Sequence, residues 1–135
     1  MKFSIAVLGA VAIALAAIPA LAGVKGAHFV GAPSISESGE TLSASGKVAG
    51  LGNVEQIRVE LTADAACINP GGQHPQAANK EAFSAAGDFP VQNGKAEFSL
   101  DLIAAFRPDC SPPMSVEWSN VSLTVTAPGV VLTYP

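Results

Sequence analysis

From Ile57 to Thr62 apolar and polar residues take strict turns (Ile57-Arg58-Val59-Glu60-Leu61-Thr62), with every apolar residue at an odd position. A period of two is the pattern of a β-strand with one buried face. Ala96 to Leu102 repeats it with even positions inward, and Leu42, Ala44, Gly46 and Val48 alternate with Thr41, Ser43, Ser45 and Lys47. These three segments predict an all-β domain. A leading strand around Phe29 to Ile35 and a closing one from Val130 to Tyr134 extend the set. Near the C-terminus the phase flips: Val116 and Trp118 are even, whereas Val121, Leu123 and Val125 are odd. A flip of this kind requires a β-bulge near Ser119-Asn120 or a strand that changes sheets.

Turn chemistry orders the strands. Asn93-Gly94 is a strong hairpin signal, because a type I′ turn needs positive φ at both central residues. Setting Gln92 opposite Lys95 pairs Val91 with Ala96 and Phe89 with Phe98, which brings apolar residues to one face. Pro90 cannot donate to a ladder and marks an edge position or a bulge. Gly50, Gly52 and Asn53 form a turn ahead of Val54. About seven short strands separated by Gly, Pro and Asn predict an antiparallel β-sandwich of immunoglobulin-like architecture, with a small barrel as the alternative.

Two stretches break the alternation. Residues 65–82 read as a long loop rich in Pro, Gly, Asn and Gln, with one helical turn near Asn79 to Phe83, and Arg107 to Pro113 reads as a second loop. Each contains one cysteine, Cys67 and Cys110. One disulfide between them would hold the loops together at one end of the sandwich. Closing a loop of that length is worth about 4 kcal/mol in the chain-entropy model.

The N-terminus changes the meaning of the composition. The chain is 49% hydrophobic and 13% charged, with a mean hydropathy of +0.38. Much of that hydropathy lies between Ile5 and Ile18, a run without charge that follows Lys2 and leads into Pro19-Ala20-Leu21-Ala22. A basic start, a short apolar run and an Ala-x-Ala ending make a signal peptide over residues 1–22. The run stops short of the roughly 20 residues a bilayer demands. Residues 23–135 then form one β-domain. Val24 stands where a lipoprotein box needs cysteine, and no hydrophobic tail follows. The expected location is therefore extracellular or periplasmic, with no membrane attachment after cleavage. Export also favours the disulfide, since thiols oxidise there.

Seven basic residues against eleven acidic ones give a net charge of −4, and loss of Lys2 makes it more negative. Such a chain lacks the basic footprint of nucleic-acid binding. Catalysis finds little support. Only His28 and His74 are available as bases, and no G-x-S-x-G elbow is present. Asp64, Glu81 and Asp109 lie in or beside the loops, but no D-x-D-x-D-G run accompanies them for calcium. A copper or zinc site would centre on His74. No metal ligand set and no cofactor is expected. Asn69, Gln73, Gln76 and Asn79, with His74 and Asp109, offer a hydrogen-bonding recognition surface instead, since amides both donate and accept. Asn120-Val121-Ser122 is a glycosylation sequon, meaningful only in a eukaryotic secretory pathway.

The segments Gly50-Leu51-Gly52-Asn53, Cys67-Ile68-Asn69-Pro70-Gly71-Gly72, Asn93-Gly94 and Cys110-Ser111-Pro112 resemble a group of small secreted single-domain β proteins with no assigned activity, over roughly residues 40 to 126. The resemblance implies a signal peptide followed by one disulfide-stapled β-domain, and it assigns no chemistry. The expected function is a secreted, non-catalytic binding or surface-interaction protein that recognises an extracellular protein or glycan through its stapled loops. The alternatives are a small metal-binding protein or enzyme using His74 with nearby carboxylates, and a coat or matrix protein that self-associates through an exposed strand edge.

Overall fold

A computed structural model describes residues 26–69 and 80–135, so the signal segment lies outside the described residues. Eight antiparallel strands form two sheets, and no helix occurs among the described residues. In chain order the strands are β1 (His28–Phe29), β2 (Ser34–Ser38), β3 (Thr41–Ala49), β4 (Gln56–Ile68), β5 (Lys80–Pro90), β6 (Ala96–Ile103), β7 (Ser115–Ala127) and β8 (Val130–Tyr134). In the first sheet β3 is central, with β6 along one side and β1 and β2 end to end along the other. The second sheet runs β5-β4-β7-β8. The result is a β-sandwich and not a barrel.

The alternating residues close the interior. Leu42, Ala44 and Val48 from β3 and Ala96, Phe98 and Leu102 from β6 meet Ile57, Val59 and Leu61 from β4 and Leu123 and Val125 from β7. No polar or charged side chain is buried among the described residues. That division follows from desolvation, since a polar group buried without a partner costs a few kcal/mol. Gly46 lies opposite Phe98, and a Cβ on Gly46 would stand 2.8 Å from the Phe98 ring. The missing side chain makes room for the aromatic one.

Several expectations need correction. The leading strand is two short strands, because Gly31 takes a positive φ and Pro33 follows it, which breaks the ladder between Phe29 and Ser34. This break raises the strand count to eight. The turn at Asn93-Gly94 forms as expected, with φ of 54° and 76° and reciprocal backbone bonds between Gln92 and Lys95 of 2.8 and 3.0 Å. The ladder beyond it does not form. Gln92–Lys95 is an isolated bridge, after which the chain splits: Phe89 pairs with Ile57 in one sheet and Phe98 with Gly46 in the other. The two phenylalanines still meet across the sandwich, edge to face, with ring centroids 6.4 Å apart. The turn is a corner between sheets and not a hairpin within one.

The stretch expected as a loop over residues 65–82 is strand at both of its ends. β4 continues to Ile68 and β5 begins at Lys80, so the helical turn near Asn79 to Phe83 is replaced by strand from Lys80 onward. The bulge is present: Thr62 pairs with Ser122 and Asp64 with Ser119, which leaves Asn120 and Val121 together opposite Ala63. Asn120 has φ of 52°, a left-handed conformation that asparagine tolerates better than most residues. One extra residue there lets both phases of β7 face inward.

Candidate functional site

Two connections lie at one end of the sandwich beside the end of β4: the β2–β3 turn at Gly39-Glu40 and residues 104–114 between β6 and β7. The Cys67–Cys110 disulfide joins β4 to the 104–114 connection, with Cα atoms 5.7 Å apart. Cys67 is not in a loop. It lies on β4, one residue before the strand's end and opposite Val116, and both half-cystines are buried. Met114 Sδ lies 3.8 Å from Cys67 Sγ, a contact between polarisable sulfurs in which the oxidised cysteine has no proton to donate.

Beneath the disulfide lies an aromatic cluster. Phe83 meets Phe106 edge to face at 5.5 Å and Trp118 at 6.4 Å between centroids. Trp118 is buried, and its Nε1 donates to the Gly39 carbonyl at 3.3 Å, tying β7 to the β2–β3 turn. The Ala104 amide donates to the Glu40 carbonyl at 2.9 Å, and the Met114 amide to that of Ser111 at the same distance. A covalent bond, an aromatic cluster and these polar ties therefore support the rim of this end.

Of the residues expected to form a recognition surface, Asn69, two residues after Cys67, and Asp109, next to Cys110, are exposed. Gln73, His74, Gln76 and Asn79 lie outside the described residues. Asp64, Glu81 and Asp109 do not converge. Asp64 pairs with Ala82 and Glu81 with Ala65, so the alternation sends the two side chains to opposite faces. Asp64 instead accepts a 2.8 Å hydrogen bond from Asn120 Nδ2, which fixes the bulge and engages the sequon nitrogen. Among the described residues, no three His, Cys, Asp or Glu side chains come close enough to hold a metal ion. His28 stands on β1 with Nδ1 donating to the Gly26 carbonyl at 2.6 Å, away from the stapled end.

Two surfaces were not anticipated as sites. The outer face of the first sheet carries Ser34, Ser36 and Ser38 beside Ser45, Ser43 and Thr41, with Ser99 and Asp101 on the far strand. Only Ser43 among these bonds to a neighbouring side chain, donating to Asp101 at 2.7 Å. The register that aligns these hydroxyls depends on which strands become neighbours, although the alternation within Ser34-Ile35-Ser36 and Thr41-Leu42-Ser43 was visible. On the outer face of the second sheet an open depression beside the bulge is lined by Thr62, Asp64, Ala82, Ser84 and Asn120. No helix among the described residues is long and apolar enough to cross a membrane.

No family model, curated protein or solved structure matches this chain.

Proposed function

We propose that the chain is an exported, non-catalytic binding domain that recognises an extracellular protein or glycan with its stapled end. The single observation that carries this reading is the Cys67–Cys110 disulfide, which fastens the end of β4 to the 104–114 connection. Binding residues sit disproportionately on loops held by a rigid scaffold. Holding those loops before contact reduces the ordering cost of association. The disulfide also agrees with an oxidising exterior, in keeping with a signal peptide over residues 1–22. Recognition then falls to Asn69, Gln73, His74, Gln76, Asn79 and Asp109.

The same reading places the sandwich in the immunoglobulin-like class. Support comes from strand order: β2, β3 and β6 correspond to A, B and E of that architecture, and β4, β7 and β8 to C, F and G. Two departures stand beside it. The disulfide does not link the B and F positions, and the buried tryptophan lies on β7 instead of the C position.

The test is capture from the exterior fraction of the producing cell on immobilised protein. Asn69→Ala with Gln73→Ala should lose the captured component while the melting temperature stays nearly unchanged. A large drop in melting temperature would mean that these amides are structural, and the reading would fail. Elemental analysis of the same protein, with thermal shift in copper, zinc and calcium, separates out the metal-binding alternative: a bound ion with a large shift would favour His74 and nearby carboxylates instead.

A further inference from the structure

Among the described residues four strand edges have no hydrogen-bonded neighbour, and three of them are guarded. Along β1 and β2 the edge is broken by Gly31 and Pro33. β8 is five residues long and flanked by Pro128 and Pro135. β6 carries two acids and no base, so antiparallel self-pairing about Ser99 would set Glu97 against Asp101 of a second copy. β5 has none of these protections over its middle. It runs eleven residues at the end of its sheet, and Ala82 to Gly87 is uncharged. A long unguarded edge is a template for adding another strand.

The charges on β5 name the occupant. Lys80 and Asp88 lie four residues to either side of Ser84, on the same outer face of the strand. Lys80 makes no ion pair within its own chain among the described residues, and Asp88 has only an exposed contact with Arg58 at 3.5 Å. We infer that β5 pairs antiparallel with β5 of a second copy of this chain, centred on Ser84. That register sets Lys80 opposite Asp88 of the second copy twice over, Ala82 opposite Ala86, and Phe83 opposite Ala85. Small residues at the centre let the backbones approach, and the overlap gives about one inter-strand hydrogen bond per paired residue. The two second sheets then become one eight-stranded sheet. The binding reading is tested at Asn69 and Gln73 and this inference at Lys80, Ser84 and Asp88, so the two fail separately.

Sedimentation of the purified protein should give twice the monomer mass at high concentration. Ser84→Cys should form a covalent dimer on mild oxidation, because the two-fold axis sets residue 84 against itself. Ala86→Cys should not, because Ala82 lies opposite it. Lys80→Asp should shift the protein to monomer mass, and combining it with Asp88→Lys should restore the dimer, with circular dichroism confirming an unchanged fold throughout. A wild-type protein that stays monomeric at the highest concentration reached would overturn the inference. So would a crosslink at residue 86 in place of 84, or a Lys80→Asp variant that still dimerises.

Discussion

Gly50 stands at the corner between β3 and β4 with φ of 77°, and a Cβ there would run into the backbone carbonyl of Gly26. Two costs coincide at this position. A left-handed conformation costs an L-residue about 1–2 kcal/mol, and a backbone obstacle cannot swing aside as a flexible side chain can. Gly39 isolates the first cost, since it has φ of 59° with nothing within 4 Å of the added atom. Gly39→Ala should lower the unfolding free energy in urea by about 1 kcal/mol, and Gly50→Ala by clearly more, about 2–4 kcal/mol once the collision is added. Equal losses in the two variants would show that the Gly26 contact does not restrain the corner. At this scale the sequence was readable where a residue type is chemically singular. Asn93-Gly94 identified its own turn, and the phase flip in β7 located the bulge that Asn120 occupies. The partner of Asn120 was not readable, because Asp64 reaches it only through the β4–β7 register.

Strand boundaries were legible only where the two faces differ in chemistry. β4 alternates cleanly until Thr62, but Ala65, Ala66 and Cys67 are all buried, so the period of two disappears where the strand continues. In β5 alanine occupies both faces, with Ala85 toward the interior and Ala82 and Ala86 toward solvent, and a residue so small marks neither. Both strand ends consequently passed for loop. The corner at Asn93-Gly94 misled for a different reason: a turn specifies the conformation of its central residues but not which sheet each arm joins. The disulfide is the element that a sequence with only two cysteines predicts most directly, and its sequence separation of 43 sets its thermodynamic weight. Cys67→Ala with Cys110→Ala, chosen because alanine leaves no buried polar atom, should cost about 4 kcal/mol. Trp118 shares the aromatic cluster below the bond, so its fluorescence should shift to the red as that end loosens. A double variant as stable as the wild type, by urea titration, would mean that the 104–114 connection is held by its packing alone.

The molecule as a whole is held by apolar burial with little help from charge. The ion pairs described are Lys47–Glu97 at 3.6 Å and Arg58–Asp88 at 3.5 Å, all four side chains lying substantially in solvent. Exposed pairs of this kind contribute at most about 1 kcal/mol, and salt screens them. The net charge of −4 acts the other way, because screening relieves self-repulsion in the folded state. These two effects of added salt are small and opposed. Raising sodium chloride to roughly half-molar, where charges beyond about 5 Å are screened, should therefore change the unfolding free energy by less than about 1 kcal/mol. Sulfate at equal ionic strength should do more, raising stability measurably, because its exclusion from protein surface strengthens apolar burial, and that burial is the main cohesive force here. The comparison must be made at fixed low protein concentration, since association through β5 would itself stabilise the folded state by mass action. A loss of several kcal/mol in chloride would mean that charge pairing carries the fold, against the wholly apolar interior formed by Leu42, Val59, Leu61 and Leu123.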